Sequence, residues 1–498
     1  MQLSKSLYNR GLQCVKSLWL KKYNKNVLSN PDGYAQTIFA TGNRVGDLAS
    51  KLFPDGKEVP YEGTTFEEKI KLTQEWLDES VENIYEATFN YDDVLVMVDI
   101  LHKNNDGSFE IYEVKSSSWN SKKTLKDIEK YIHDVSIQYY VMGGLGYNIS
   151  KCFITMIASD YVCDGNLDVQ KLFIHIDVTH EVKELQAKIP IYLETFKKHL
   201  ENKENEPTKK IGQHCFKPYK CDAMDYCWKD IPDYSVFDIF NMGKKTLELY
   251  ESGIIEIEKI PQESLTTENQ KLVVNAWLNK ATIINKDSIN SFIQKLRYPI
   301  YHLDFETYMS AIPEFKHQKP YQQIPFQYSL HVEQEDGTLE HKEFLGKEGT
   351  DPREEFIKHI IANIPQDSCV LVYNENFEKT RIKELARDFP EYESRLMNMH
   401  DNIIDLAEPF RNKDYYDYTL KGKYSIKLVM PHMAPHMADA YKKLALVQNG
   451  GDAMNTFPKL KEMEKDEKEK YRKALLEYCH LDTLAMVEVL KKLKESVK

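Results

Sequence analysis

Carboxylates at two places in the C-terminal part of the chain have the spacing of a metal-binding site. Asp304 and Glu306 lie two residues apart at the end of a strand-like run, so both face one side of a strand. Tyr478 and Asp482 are four residues apart in a helical pattern and share one helix face. Such a set could hold two divalent cations about 3.5–4 Å apart for phosphodiester hydrolysis, while the phenol orients the attacking water.

The elements around these residues must bring the two pairs together. Each pair alone is more simply interpreted as an exposed strand edge or an ordinary surface helix, and only their joint presence favours a site. The pattern predicts three strands, a helix capped by Asp351, a buried strand, a further helix and a C-terminal helix, at residues 298–306, 325–332, 340–344, 351–361, 369–373, 378–388 and 471–493. This order suits an RNase H-like α/β fold.

At these residues the sequence resembles the DEDD exonuclease superfamily, over residues 298 to about 495. Asp304 and Glu306 match the first motif of that superfamily, and Tyr478 with Asp482 match the tyrosine form of its third motif. The resemblance implies a 3′–5′ exonuclease with Mg²⁺ or Mn²⁺ bound by Asp304, Glu306 and Asp482, and with Tyr478 as a catalytic residue.

The second motif of the superfamily is matched by Asn374-Glu-Asn-Phe-Glu378, in which Glu378 stands where aspartate is usual. Its carboxylate lies one methylene further from the backbone and is still expected to contribute to catalysis. Asp405 is a weaker candidate for the same role. His480 falls on a different helix face from Tyr478 and is interpreted as structural.

A second set of polar residues lies on a predicted hairpin in the N-terminal half. The apolar runs 94–100 and 109–114 flank a turn-forming stretch, so Asp99 ends one strand while Glu113 and Lys115 share a face of the other. Asp99 and Glu113 could bind Mg²⁺ through oxygen ligands, and Lys115 could stabilise a charged transition state. A hairpin with alternating exposed charges is the simpler alternative.

Four cysteines form a third set. Cys215, Cys221 and Cys227 follow one another at equal spacing, and Cys14 lies in an amphipathic stretch near the N-terminus. That stretch carries apolar or small residues at helical spacing, at Leu3, Leu7, Gly11, Cys14, Val15, Leu18 and Trp19. Four thiolates could hold a [4Fe–4S] cluster or a tetrahedral Zn²⁺, and either would fasten the first helix to the end of the domain.

Together, these N-terminal features resemble the iron–sulfur nucleases of the RecB and AddB type in the PD-(D/E)XK superfamily. The resemblance maps the catalytic motif to Asp99, Glu113 and Lys115, adds Gln138 on the following helix, and makes Glu86 a possible further ligand. It also assigns Cys14, Cys215, Cys221 and Cys227 to an iron–sulfur cluster. A histidine usual early in that domain is replaced by Gly46.

The whole chain resembles a bacterial family of unassigned role that fuses these two modules. The predicted fold class is multidomain α/β: a restriction-endonuclease-like core with an iron–sulfur staple at 1–230, a helical connector at 231–297 and an RNase H-like exonuclease domain at 298–498. The chain has 66 basic and 78 acidic side chains, a net charge of −12 that argues against a simple nucleic-acid coating protein. No apolar run approaches the ~18 residues of a membrane span, so a cytoplasmic protein without a membrane partner is expected.

Three functions remain open from these patterns. The first is a metal-dependent nuclease that acts on DNA in repair, recombination or defence, beside a separate helicase or other repair or defence protein, since the chain contains no phosphate-binding loop for ATP. The second is an RNA 3′-end trimming exonuclease. The third is a non-catalytic nucleic-acid-binding scaffold, which Glu378 and Gly46 would favour.

Overall fold

The computed structural model describes residues 2–30 and 33–498, with the side chains of residues 33–36 outside this description. The chain is a mixed α/β, multidomain protein with several sheets. It divides into two compact units: the first contains residues 1–230 and the segment Ser310–Gln322, and the second contains Ile231–Met309 and Gln323–Lys498. In the part of the chain that is described, no helix combines the length and apolar character needed to cross a membrane.

The first unit is built on a mixed sheet. Its strands are β1 (Leu3–Ser4), β2 (Lys57–Glu58), β3 (Asn83–Tyr91), β4 (Val94–Lys103), β5 (Phe109–Trp119), β6 (Ile149–Ala158) and β7 (Phe173–Asp177). They follow the spatial order β2-β3-β4-β5-β6-β7, with β1 beside β4. Strands β3, β4 and β5 are antiparallel neighbours and β6 joins β5 in parallel, so the hairpin predicted from the sequence is confirmed.

Helices cover this sheet. They are α1 (Lys5–Gln13), α2 (Val15–Tyr23), α3 (Gly33–Ala49), α4 (Phe66–Asp78), α5 (Glu129–Gly144), α6 (Val169–Leu172), α7 (Thr179–Leu185), α8 (Ile189–Glu201) and α9 (Met224–Cys227). The amphipathic start of the chain is a short strand followed by two helices, because the backbone of Cys14 is extended (φ −163°) between α1 and α2. Its apolar residues, Leu3 and Leu18 among them, are buried as expected.

The second unit contains a five-stranded sheet and a small two-stranded one among its described residues. Its strands are β8 (Thr282–Ile284), β9 (Ile300–Tyr308), β10 (Ile324–Glu333), β11 (Leu339–Leu345), β12 (Cys369–Val372), β13 (Ile403–Asp405) and β14 (Tyr415–Asp417). The larger sheet has the order β11-β10-β9-β12-β13. Strands β11, β10 and β9 are antiparallel, while β9, β12 and β13 are parallel, so β9 is central and its apolar residues are buried on both faces.

The helices of the second unit include the long C-terminal one. They are α10 (Lys244–Glu251), α11 (Glu268–Asn279), α12 (Lys286–Ile293), α13 (Arg353–Asn363), α14 (Asn376–Asp388), α15 (Glu393–Asp401), α16 (Glu408–Arg411), α17 (Ile426–Met433), α18 (Gly450–Thr456) and α19 (Lys465–Glu495). The strands and helices expected from residue 298 onward occur in the expected order. One cap differs: α13 begins at Arg353 rather than at Pro352, and Asp351 accepts a hydrogen bond from the Arg353 amide.

Residues 231–297, predicted as a connector, belong to the second unit. Their apolar side chains, such as Val273 and Ile289, share one core with Val429 of α17 and Val489 of α19. Strand β8 also pairs with β14 far along the chain. The helical pattern of this segment gave no indication of these distant partners, which is why it was interpreted as a separate piece.

Candidate metal and active sites

Three carboxylates meet beside the central strand of the second unit. Asp304 and Glu306 project from β9 and Asp482 from α19, and one carboxylate oxygen of each lies within 4.8 Å of those of the other two. The sequence spacing explains the arrangement, because residues i and i+2 of a strand share a face and α19 packs across β9 and β10. Glu306 and Asp482 are buried, so these oxygens lack the screening of bulk water.

Electrostatics at this cluster favour a cation. Burial raises the pKa of Asp304 well above its usual value, and the charges of Asp482 and Glu306 raise it further. Burial and Asp482 likewise raise the pKa of Glu306, and burial raises that of Asp482. Lys427 opposes all three shifts but is a single charge. Carboxylates this close repel one another when ionised, and a divalent ion among them removes that repulsion.

Two phenols and an amine border the carboxylates. Tyr441 donates a hydrogen bond of 2.6 Å to Asp482 Oδ1, and Lys427 Nζ lies 3.2 Å from the Tyr478 hydroxyl. Burial and the charge of Asp482 raise the pKa of both phenols, so both are neutral hydrogen-bond donors at neutral pH. Sequence spacing indicated Tyr478 but not Tyr441, since no short-range motif links Tyr441 to Asp482, which lies 41 residues later.

Glu378, the fourth acid expected from the DEDD resemblance, lies near this cluster but is not among the carboxylates that approach within 4.8 Å. It lies in the first turn of α14 and is buried, and its charge raises the pKa of Asp304. Burial raises its own pKa to about 8, and its Oε2 has no hydrogen-bond partner. Asp405 is a poorer candidate: it accepts hydrogen bonds from the Asn374 and Ala407 amides and pairs with Arg411 at 2.6 Å.

The N-terminal candidates also converge, around Glu113. Lys115 Nζ lies 2.6 Å from Glu113 Oε1, and Gln138 donates a hydrogen bond to Oε2. The backbone amide of Val114 donates a 2.7 Å hydrogen bond to Asp99 Oδ2. Strands β4 and β5 and helix α5 therefore hold Asp99, Glu113, Lys115 and Gln138 in one cluster. Spacing indicated the first three residues, and the RecB/AddB resemblance indicated Gln138.

Lys5 was not among the predicted residues of this cluster. Its Nζ lies 2.8 Å from Glu113 Oε1, 2.9 Å from Oε2 and 3.8 Å from Asp99 Oδ1, so an ammonium group stands between the two candidate metal ligands. Lys115 is also paired with Asp134 at 2.7 Å. A cation bound by Asp99 and Glu113 would have to displace the Lys5 ammonium.

Because of these lysines, the pKa of Glu113 differs widely from the pKa values of the neighbouring acids Asp99 and Glu86. Burial alone would raise the pKa of Glu113, but Lys115 and Lys5 outweigh it and hold that pKa at about 2. Burial and the Glu113 charge raise the pKa of Asp99 to about 6. Burial and the Asp99 charge raise the pKa of Glu86 on β3 to about 7. At neutral pH, Glu113 is therefore fully ionised, whereas Asp99 and Glu86 have pKa values close to neutrality.

The four cysteines line one cavity at the end of the first unit. Cys14 and Cys215 are buried, while Cys221 and Cys227 are half-buried. The cavity is also bordered by basic side chains, namely Lys16, Lys209, Lys210 and His214. Hydrogen bonds tie the same parts of the chain together without any metal, since Arg10 forms a two-fold ion pair with Asp222 at 2.7 and 2.8 Å.

Known proteins match part of this chain. The profile of a domain of unknown function, DUF2779, matches residues 301–425, a region with Asp304, Glu306 and Glu378 but without Tyr478 and Asp482. Uncharacterized protein UU173 of Ureaplasma parvum serovar 3 is 30% identical over 222 residues, 42% of this chain and 32% of the relative. Uncharacterized protein MG366 homolog of Mycoplasma pneumoniae is 28% identical over 261 residues, 48% of this chain and 39% of the relative. The chain thus spans less than two fifths of these relatives.

The hydrogen bond from Tyr441 gives a first prediction. It lowers the pKa of Asp482, so Tyr441→Phe should raise that pKa, and the pH midpoint for Mn²⁺ binding should move upward. We expect weaker Mn²⁺ binding at pH 7, by about 3- to 10-fold for the loss of roughly 1 kcal/mol, measured by calorimetry from pH 6 to 9. Tyr415→Phe, in strand β14, is the matched control. An unchanged pH midpoint would contradict the role given to Tyr441.

The crowding of the carboxylates gives a second prediction, on stability. Unfolded Asp304 loses its proton above pH ~4, whereas the folded protein retains it, so stability falls as pH rises toward the folded pKa. Asn does not titrate. In the presence of a chelator, Asp304→Asn should therefore be more stable than wild type at pH 7 by on the order of 1 kcal/mol, with the difference shrinking toward pH 4. Urea unfolding measures it, with exposed Asp466→Asn as control; a destabilised Asp304→Asn at pH 7 would refute the argument.

Proposed function

We propose that the second unit hydrolyses phosphodiester bonds of nucleic acid with Mg²⁺ or Mn²⁺ held by Asp304, Glu306 and Asp482. The observation that carries this proposal is the approach of these three carboxylates, one half-buried and two buried, to within 4.8 Å of one another. Oxygen-rich sets of this kind suit hard divalent cations. The bound ions would supply an activated water and neutralise the charge that develops on the phosphate.

The remaining side chains have complementary tasks. The neutral Tyr478 phenol can orient a water molecule by hydrogen bonding, and the Lys427 ammonium beside it can contact a phosphate oxygen. Gly450 borders these groups, since a Cβ added there would be at ordinary contact distance, 3.5 Å from Glu306 Oε2 and 3.9 Å from the Tyr478 hydroxyl. Glu378 supplies a fourth carboxyl group, whose unpartnered Oε2 can turn toward a cation.

The strand order of the second unit supports an RNase H-like domain of the DEDD type. Three antiparallel strands come first, and a helix, a parallel strand, two further helices and a second parallel strand follow. The resemblance places the first motif on the first of these strands and the third on the C-terminal helix, and these are the positions of Asp304 and Asp482. We accordingly propose 3′–5′ exonuclease activity for this unit.

For the first unit we propose a PD-(D/E)XK nuclease site of the restriction-endonuclease-like kind. The contacts among Asp99, Glu113, Lys115 and Gln138 support this proposal. Lys5 makes the site conditional, because its ammonium neutralises Glu113 where a cation would bind. Exchange of this ammonium for Mg²⁺ would free Lys5 to contact the phosphate of the substrate.

The four cysteines around one cavity support the proposal of a [4Fe–4S] cluster there. Among the described residues, no three of its thiols lie within 4.8 Å of one another, whereas thiolates on one tetrahedral zinc are about 3.8 Å apart, given a Zn–S distance of ~2.3 Å. A cluster with several irons accepts the wider set, and the lysines around the cavity offset its negative charge. Cys14, Cys215, Cys221 and Cys227 would hold it and fasten the start of α2 to α9.

Such a protein would process DNA in repair, recombination or defence. We propose a helicase as a partner for any ATP-driven strand separation, since residues 1–498 contain no phosphate-binding loop for ATP. RNA is the alternative substrate, since an RNA-trimming enzyme can use the same carboxylates. Cleavage of DNA compared with cleavage of RNA distinguishes the two substrates.

A cleavage assay on full-length protein tests the proposal. Wild type, Asp304→Asn, Lys115→Ala and the exposed-site control Asp466→Asn would be incubated with 3′- and 5′-labelled single- and double-stranded DNA and RNA, in Mg²⁺ or Mn²⁺. We expect Asp304→Asn to lose stepwise degradation from the 3′ end by at least about 100-fold, because metal binding is lost. Lys115→Ala should remove a separate product pattern.

Three outcomes decide the assay. Products that are the same for wild type and Asp304→Asn would reject the exonuclease site. Cleavage of RNA with DNA left intact would select the trimming enzyme. Binding of nucleic acid without cleavage in either metal would make the chain a scaffold with inactive nuclease folds.

The cysteine proposal is tested by Cys14→Ser. Wild type purified without oxygen should be brown and contain about four irons per chain, as a [4Fe–4S] cluster requires. Cys14→Ser should lose this iron and unfold the first unit at lower temperature, whereas Cys163→Ser, a buried cysteine outside the cavity, should retain it. Iron analysis and absorption spectra measure the difference. A colourless wild type with one zinc would replace the cluster with zinc, and equal iron loss in Cys163→Ser would refute the assignment.

A further inference from the structure

Three histidines of the second unit form a separate cluster under helix α19. His331 on β10, His341 on β11 and His480 on α19 have ring centroids 4.6, 4.9 and 4.3 Å apart in the three pairings. One nitrogen of each ring lies within 4.8 Å of those of the other two. His331 is buried, and the other two are half-buried.

Strand register and helix packing explain why the rings converge. His331 and His341 are direct partners across the antiparallel pair β10–β11, so their side chains lie on the same face of the sheet. Helix α19 packs on both strands and brings His480 over that face. These three positions are 10 and 139 residues apart in sequence, and the strand pairing and the helix packing bring them together.

Two hydroxyl groups hydrogen-bond to one nitrogen each of the His331 and His341 rings. Thr483 Oγ1 lies 2.8 Å from His331 Nδ1, Ser329 Oγ lies 2.9 Å from His341 Nε2, and the two hydroxyls are 2.6 Å apart. They can hold the protonated nitrogen of each ring, which leaves His331 Nε2 and His341 Nδ1 with a lone pair. Metal-binding histidines are commonly oriented in this way through their second nitrogen.

The cluster has an open side toward solvent. His341 and His480 line an open groove of about 720 Å³, together with Glu343 and Glu477. The charge of Glu343 acts on His480, so a carboxylate is near the ring. A cation held by three neutral imidazoles would thus have a fourth position for water or for Glu343, and acidic side chains would compensate its charge.

From this geometry we propose that His331, His341 and His480 bind a zinc ion. Three imidazole ligands favour a borderline transition-metal ion over Mg²⁺, which prefers carboxylate oxygens. The site is distinct from the carboxylate cluster in ligand type, and it does not rest on the nuclease proposal. Zinc there would fasten the edge strand β11 to α19, the helix that carries Asp482.

Zinc titration of the full-length protein tests this site. Protein purified without oxygen, so that the cysteine cavity keeps its own metal, would be titrated with Zn²⁺ in excess Mg²⁺ and analysed for bound zinc. We expect wild type to bind one zinc more than His341→Gln, and the affinity of that ion to fall by at least about 100-fold in the variant, since a direct ligand matters more than its hydrogen-bonding support. Exposed His436→Gln, in the same groove, should behave as wild type.

A second variant separates metal binding from folding. Thr483→Val keeps all three imidazoles but removes the hydroxyl behind His331, and it should weaken zinc by about 10- to 100-fold. Zinc should also raise the melting temperature of wild type and not that of His341→Gln. Equal zinc content in wild type and His341→Gln would overturn the proposal and leave the histidines as packed rings. Equal loss in His436→Gln would do the same, because the groove surface rather than the cluster would then bind the ion.

Discussion

Mutual repulsion among buried carboxylates is the constraint around which the second unit is organised. Asp304 and Glu306 on the central strand face Asp482 on α19, and burial prevents water from screening them. A fold that tolerates such a set must bring strong stabilisation from elsewhere, and here β9 is buried on both faces between the neighbouring strands β10 and β12. The apolar packing of that strand therefore supports a polar site that would otherwise push it away from the helix.

The first unit also contains neighbouring carboxylates, but there lysine side chains offset their repulsion. Its acids are accompanied by ammonium groups, so Glu113 is ionised with Lys5 and Lys115 on its oxygens. Glu113 thus has charge partners within the protein, whereas all three carboxylates of the second unit keep raised pKa values despite Lys427. The two units would consequently differ in how much they depend on divalent ions. In the first unit a bound cation would replace the Lys5 ammonium, and in the second it would supply a positive charge that the carboxylates lack.

The sequence was informative where function depends on local periodicity. The mixed α/β, multidomain organisation follows from strand and helix patterns, and spacings of two and four residues place Asp304 with Glu306 and Tyr478 with Asp482. Partners set by tertiary structure were not accessible in this way. Tyr441, at the start of a short 3-10 helix, contacts Asp482 41 residues later, and Lys5 contacts Glu113 across 108 residues. His480 meets histidines of two strands.

The segment Ser310–Gln322 has a consequence for biosynthesis. These residues come from within the stretch that builds the second unit, yet they pack in the first, where His317 and Gln318 exchange backbone hydrogen bonds of 2.7 and 3.0 Å with Cys163. The ribosome delivers residues 1–230 long before this segment. All residues of the first unit are therefore present only after strand β9 and residues up to 322 have been synthesised. Dividing the gene between residues 230 and 231 would yield a first product that lacks Ser310–Gln322. The second product would carry this segment without the unit in which it packs.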